Sequence, residues 1–348
     1  MQRATPSNDE AGATVRRIAA IGRISCLVLG GLLAAATASA QQVIKIATLA
    51  PDGSAWMREL RQAATQVQAD TQGRVQIKYF PGGVMGSETV VLRKMKLGQL
   101  QGSVLTSSEL GALYPDATIY SLPFQFDNWA QVDKVRPQID PLLARGLEAK
   151  NLKMLGISGI GFAYLMSSKS LRSRADMDSA KLWVPQNDEI AARTFKLGQV
   201  SPIPLPLGDV FTSLQTGLVD TVATTPSGAV ALQWHSKLKS MIDLPLSFVV
   251  GYLVVDLKAW QRLSPADQDA AAKAFAASAQ RMDVNIKRDD AAALQVMKKQ
   301  GLAVNALDPA EAARWKKIGA QIGREMEQEK RFSPEVLQAM RKVAAGAR

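Results

Sequence analysis

Residues 179–226 read SAKLWVPQNDEIAARTFKLGQVSPIPLPLGDVFTSLQTGLVDTVATTP. Lys181 to Val184 has the composition of a short strand, and Pro185 stops it, because proline cannot donate to a sheet ladder. Glu189 to Leu197 carries Ile190, Ala191, Phe195 and Leu197 at helical spacing. Val200 to Leu207 is apolar but holds Pro202, Pro204 and Pro206, so it is extended and belongs at a sheet edge. Asp209 then reads as an N-cap. Val210, Phe211, Leu214 and Leu218 give the next helix one apolar face, with Gly217 near its end. Thr221 to Thr225 is a strand closed by Pro226. Strand, helix, strand, helix, strand is the build of a parallel sheet. Ligands of such sheets bind beyond the carboxyl ends of the strands, here Trp183 to Asn187 and Thr224 to Ser227.

Outward from this stretch the chain has room for two domains, with 348 residues. Arg16, Arg17 and Arg23 precede an apolar run from Ile24 to Ala36, and Ala38-Ser39-Ala40 is a small-x-small site. That is a secretory leader over residues 1–40, cleaved after Ala40. The run is shorter than the roughly 20 apolar residues a bilayer needs. The single cysteine, Cys26, falls inside the leader, so the mature chain has no thiol for a disulfide, a cluster or catalysis. Removing the leader, with its four arginines and two acids, lowers the formal charge from +11 to +9. These charges are scattered and not interleaved with aromatics, which argues against nucleic acid as a partner.

Val43 to Ala47, a helix from Ala55 to Thr71 with Trp56, Leu60, Ala64 and Val67 on one face, and Val75 to Tyr79 open a doubly wound lobe. Pro81 to Gly86 is glycine-rich but lacks the lysine and spacing of a phosphate loop. Glu88 to Leu97 is helical, Gln101 to Thr106 is a strand, and Asn128 to Lys150 is a helix, or two around Pro137 and Pro141. Leu152 to Ile157 is a strand leading into Gly161-Phe162-Ala163-Tyr164. Gly228 to Ser240 reads as a helix containing Trp234 and His235, and Leu244 to Asp256 as a strand. Ser264-Pro265-Ala266-Asp267 starts a helix that runs to Lys299 with Gly301 as its stop. Two helices, Asp308 to Gln328 and Pro334 to Ala345, close the chain.

Catalytic and metal patterns are missing from the sequence. His235 is the only histidine, without H-E-x-x-H spacing or a G-x-S-x-G partner, so no metal or cofactor is implied. Asp289-Asp290 reads as a solvated acidic pair on the long helix.

KLWVP at 181–185, SPIPLPLGDVFTSLQTGLVDTVATTP at 201–226 and LPFQF at 122–126 together carry a family likeness. The chain resembles TRAP-transporter substrate-binding proteins of the dicarboxylate-binding (DctP) type from about Val43 to Phe332. The resemblance implies an α/β, two-lobed periplasmic-binding-protein fold, class II-like, with a long helix spanning both lobes. It implies lobe 1 at 41–163 plus about 252–285, and lobe 2 at 164–251 plus about 286–346. It further implies a periplasmic, monomeric receptor that performs no reaction. Such a receptor passes a small organic solute to the small and large membrane subunits of a TRAP permease. A secreted enzyme, or a stand-alone chemosensory receptor, on the same scaffold are the rival readings.

The resemblance also locates the site and exposes a departure. The family's carboxylate-binding arginine, whose planar fork suits a carboxylate, falls at Trp183. A second arginine falls at Ala163, and an asparagine falls at or beside Thr225. Trp183 offers a large apolar surface instead. Thr106, Glu109, Gln186, Thr224 and Thr225 are the polar candidates for the site, and Phe124, Phe162, Tyr164 and Trp234 serve either core or ligand. Two solutes fit: an organic anion held by Arg93, Lys169 or strand-end N–H groups, or a less polar compound against Trp183.

Overall fold

In the computed structural model of the chain, residues 41–345 are described. The leader expected at 1–40, with Cys26 and the expected cleavage after Ala40, lies outside the described residues. β1 (Gln42–Ala47), α1 (Ala55–Asp70) and β2 (Val75–Phe80) form the opening unit, and β1 and β2 pair in parallel with Gln42 opposite Val75. Ser54 caps α1, its Oγ accepting the Met57 N–H at 3.2 Å. The buried stripe of α1 is Met57, Leu60, Ala63 and Val67. The expected stripe held Trp56 and Ala64. Docking turns the helix slightly, and Trp56 faces a cavity described below.

α2 (Glu88–Lys96), β3 (Gly102–Thr106), α3 (Ser107–Gly111) and α4 (Trp129–Ala149) follow. α4 is one helix, and its two internal prolines are exposed, so the carbonyls that lose a donor face water. Next come β4 (Leu152–Ser167), α5 (Arg174–Asp178), β5 (Leu182–Pro185), α6 (Glu189–Leu197), β6 (Pro202–Leu205), α7 (Val210–Thr216) and β7 (Thr221–Thr224). Leu218 was expected on the face of α7. Gly217, at φ 72°, ends the helix first and leaves Leu218 exposed.

α8 (Pro226–Ala231) is shorter than the expected helix over 228–240. Gln233 adopts φ 62°, a short 3-10 turn holds Trp234, and Ser240–Ile242 is a strand, β8. β9 (Ser247–Asp256), α9 (Leu257–Gln261), α10 (Pro265–Lys299), β10 (Ala303–Asn305), α11 (Pro309–Gln328) and α12 (Pro334–Ala345) complete the chain. Ser264 caps α10 as its sequence indicates, and Gly301, at φ 99°, follows its end.

Among the described residues the strands run β2-β1-β3-β9-β4-β7-β5-β6, with β8 on β4 and β10 on β8. β4 serves two neighbourhoods. Leu152 to Ala163 pairs antiparallel with β9, whereas Tyr164 to Ser167 pairs with β7 and β8. The edge position of β6 is the one its two prolines, Pro202 and Pro204, require. Period-two alternation sorts the cores. On β9, Phe248, Val250, Tyr252 and Val254 face the cluster that includes α4, while Leu253 and Val255 face the cluster of α1 and α10. On β5, Leu182 and Val184 face Phe195 and Trp315, while Trp183 turns to Val210, Leu214 and Trp234.

α10 runs along both neighbourhoods, packing on α1 and β4 and then on α8. Arg136 ties it to α4 through Asp283 at 2.6 Å, and Asp283 also accepts the Gly159 N–H at 2.8 Å. Asp290 was expected in solvent. Its Oδ1 instead accepts the Ser227 N–H at 2.9 Å, and burial raises the carboxyl above its ordinary range. Ser227 Oγ donates to the Ile160 carbonyl at 3.1 Å, so helix, α8 and β4 meet there. Gly161, at φ 126°, sits against that carboxylate.

Candidate functional site

A cavity of about 250 Å³ lies at the carboxyl ends of β3, β5 and β7, where sheets of this build hold ligands. Thr106 ends β3, Pro185 ends β5 and Thr224 ends β7, and all three line it. The middle of β4, through Gly156, Gly159, Ile160 and Ala163, forms another wall, and α10 adds Phe275 and Met282.

Six of the ten residues singled out in the sequence line this cavity: Thr106, Phe124, Trp183, Thr224, Thr225 and Trp234. Ala163 lines it too, so the three positions at which the sequence departs from its resemblance meet in one place. Gln186 and Glu109 line a smaller adjoining cavity of about 40 Å³, which shares Glu88, Thr106 and Pro185 with the larger one. Phe162 and Tyr164 line neither. Phe162 is buried among Trp129 and Phe248, at 5.9 and 5.3 Å between ring centres. Tyr164 is half-buried in the β4 ladder opposite Thr224.

Trp183 is held rigidly. Its indole N–H donates to the Leu205 carbonyl at 3.0 Å, and its ring meets Trp234 edge-on at 5.3 Å. Thr225 caps α8 through the Gly228 N–H at 2.9 Å. Thr106 caps α3 and also gives its backbone N–H and hydroxyl to Glu88, at 2.7 and 2.8 Å.

Sequence reasoning missed the ionisable groups of the lining, Glu88 and Asp188. Glu88 stands in the first turn of α2, where an acid is ordinary helix-dipole chemistry and signals no site. Burial pushes its carboxyl up to about 7, against the lowering effect of the Thr106 donors, and the nearby Glu109 adds to the rise. Asp188 caps α6, accepting the Ala191 N–H at 2.9 Å, and burial raises it as well. Neither Arg93 nor Lys169 lines the cavity. Arg93 is exposed on α2, and the Lys169 ammonium pairs with Asp220 at 2.7 Å. His235 lies with its Nδ1 3.3 Å from the Ala229 carbonyl, outside the lining. No group of three His, Cys, Asp or Glu side chains suited to a metal ion occurs among the described residues.

A model of the family DctP, bacterial extracellular solute-binding protein family 7, matches residues 46–330. The chain belongs to that family. Its membership accounts for the two-lobed α/β architecture and for a cavity at the strand ends. Among curated relatives, the sialic acid-binding periplasmic protein SiaP of Vibrio cholerae is 23% identical over 293 residues, covering 83% of this chain and 90% of its own. Among solved structures, a TRAP periplasmic solute-binding protein of Desulfovibrio salexigens with bound orotic acid superposes at TM-score 0.80. It is 20% identical and covers 88% of this chain and 99% of its own. An extracytoplasmic solute receptor of Bordetella pertussis binding pyroglutamic acid superposes at TM-score 0.80, 22% identical, with 86% and 99% covered. Among the described residues of this DctP-family chain, no helix is long and apolar enough to cross a membrane.

Proposed function

We propose that this DctP-family chain captures a small organic solute between two lobes and hands it to a TRAP-type permease. That permease would supply small and large membrane subunits. The mature protein starts after Ala40, acts in the periplasm as a monomer, and releases its solute unchanged. The observation that carries this reading is the cavity at the ends of β3, β5 and β7, walled by Trp183, Ala163 and Thr225. The only histidine lies outside its lining, and the two carboxyls there are engaged as hydrogen-bond acceptors.

The division we infer puts β1 to β3, β9 and Leu152 to Ala163 in lobe 1, and β5 to β8, β10 and Tyr164 to Ser167 in lobe 2. It keeps the outward crossing at Ala163–Tyr164 and moves the return crossing from Tyr252 to Ser247. The pairing of β9 along its whole length with β4 supports that choice. Thr106, Gln186, Thr224, Thr225, Trp183 and Trp234 are the ligand contacts we propose, with Phe124 in the wall. A solute touching both lobes stabilises the closed arrangement and shifts a pre-existing equilibrium toward it.

The test is to purify the mature chain without denaturation and identify by mass spectrometry any compound that accompanies it. Adding that compound back to stripped protein should raise the melting temperature, and it should be recovered chemically intact. Conversion to a product would replace the receptor reading with an enzymatic one.

A further inference from the structure

The lining of the cavity carries charge of one sign. Among the described residues no lysine, arginine or histidine lines it, and its ionisable groups are Glu88 and Asp188. Glu88 lines the smaller cavity as well, whereas Asp188 lines the larger one alone. Glu88 precedes Thr89 and Asp188 follows Asn187, and Thr89 and Asn187 meet on Glu109 Oε2 at 3.2 and 2.8 Å. Glu88 and Glu109 both border the smaller cavity, and Glu88 and Asp188 both border the larger one.

Several donors around the cavity are already engaged. The Ala191 N–H goes to Asp188, the Gly228 N–H to Thr225, and the Ser227 N–H to Asp290. The Thr106 N–H goes to Glu88, and the Trp183 indole to Leu205. An anion placed here would lose its water and find neither a cation nor a free strand-end donor among these groups, a heavily unfavourable exchange.

The body of the cavity is apolar in both directions. It reaches Leu60, Leu253 and Phe275 in the cluster under α1 and α10, and Phe195, Trp315 and Trp234 in the clusters around β5. Hydroxyls, among them those of Thr106, Ser108, Ser158 and Thr224, and the indole N–H of Trp315, which has no hydrogen-bond partner among the described residues, supply the rest of its polarity.

We propose that the solute carries no negative charge: it is a largely apolar molecule, walled by Trp183 and Trp234, with a hydrogen-bond-donating group directed to Glu88 and Asp188. The inference rests on the solute-capture reading and deepens it. The donor is a hydroxyl, an amide or an ammonium, and an ammonium would gain from the aromatic lining as well. Orotic acid and pyroglutamic acid, bound by the two structural neighbours, have the opposite chemistry.

Two matched probe sets test it on the mature chain. Phenylnaphthylamine is uncharged and bears an N–H, and anilinonaphthalenesulfonate is the same skeleton with an anionic group. Fluorescence titration should show the neutral probe binding at least about tenfold more tightly. Trp183→Arg, checked for folding by circular dichroism, should reverse that order. Should this variant not fold, Thr224→Arg, at the end of β7, makes the same substitution of charge. Cinnamyl alcohol, cinnamylamine and cinnamate then separate the donors by thermal shift. A rise with the alcohol identifies a neutral donor. A rise with the amine alone, lost in Glu88→Gln, identifies an ammonium. Cinnamate or the sulfonate binding as tightly as its neutral counterpart overturns the inference. So does a chain that ignores every neutral and cationic probe yet is stabilised by galacturonate or pyroglutamate, and that outcome leaves solute capture standing. Stabilisation by none of these compounds overturns both.

Discussion

Asn187 Nδ2 donates to Glu109 Oε2 at 2.8 Å, joining the turn after β5 to the helix after β3. The same oxygen accepts from Thr89 Oγ1 at 3.2 Å. Glu109 is buried and Asn187 is exposed, so the bond has a sheltered, charged acceptor and a solvent-facing donor. Both residues line the smaller cavity, and the bond closes the turn after β5 onto α3 beside the larger one.

Asn187→Ala should loosen that closure. A hydrogen bond to a charged group is worth roughly 1.5–3 kcal/mol, and exposure of the donor brings this down to about 1 kcal/mol. Solute affinity should weaken about fivefold, because the closed state is less populated before binding. Small-angle X-ray scattering of the solute-free variant should give a larger radius of gyration than wild type. An unchanged radius together with unchanged affinity would remove this contact as a latch.

Glu88 makes stability depend on pH. Its folded value, pushed up to about 7 by burial, lies above the ordinary glutamate value of about 4.3. Between those values the unfolded chain has released the proton and the folded chain has kept it. Stability therefore falls as pH rises through this window and levels off above it, by about 4 kcal/mol at most. Asp140, Asp188 and Asp290 are raised by burial too and share the slope. Glu88→Gln should flatten part of the decline, most visibly as a higher melting temperature than wild type at mildly alkaline pH. A variant whose melting temperature follows the wild-type pH curve would show that the carboxyl is not buried.

Gly161→Ala meets two obstacles at the crossing of β4. The backbone is at φ 126°, and an added Cβ would stand 3.1 Å from the Asp290 carboxyl. Chemical denaturation should register a loss of roughly 2–4 kcal/mol. A midpoint equal to that of wild type would mean that the crossing tolerates an ordinary strand conformation.

Trp183→Phe keeps an aromatic wall but removes the donor to Leu205 at 3.0 Å and part of the ring against Trp234. The hydrogen bond contributes about 1 kcal/mol and the lost volume about as much again. Urea unfolding should show a drop of about 2 kcal/mol with an unchanged slope. A stability equal to wild type would indicate that the indole N–H has no fixed partner.

Local pattern carried a large part of this fold. The helix over Glu189–Leu197 and the long helix between Ser264 and Gly301 follow from caps, glycine stops and apolar spacing, all readable within a few residues. The parallel trio β7-β5-β6 follows from strand length and from prolines that exclude an interior position for β6. Ser240–Ile242 and Ala303–Asn305 escaped notice because three residues show no period; the two are strands only through pairing with each other and, for Ser240–Ile242, with β4. The helix expected across 228–240 failed at Gln233, whose positive φ no glycine announced.

The amino-acid sequence alone determined the α/β class, the order of most of the elements, a single cysteine at residue 26 and the absence of arginine at Trp183, Ala163 and Thr225. Tertiary structure alone decided that Phe162 is core while Phe124 is wall, that Asp290 is tied to Ser227, and that Glu88 and Asp188 border the cavity. Periodicity distinguishes an inward side chain from an outward one. Whether the inward one meets another side chain or an empty space, and which charge faces that space, depends on elements distant in the chain.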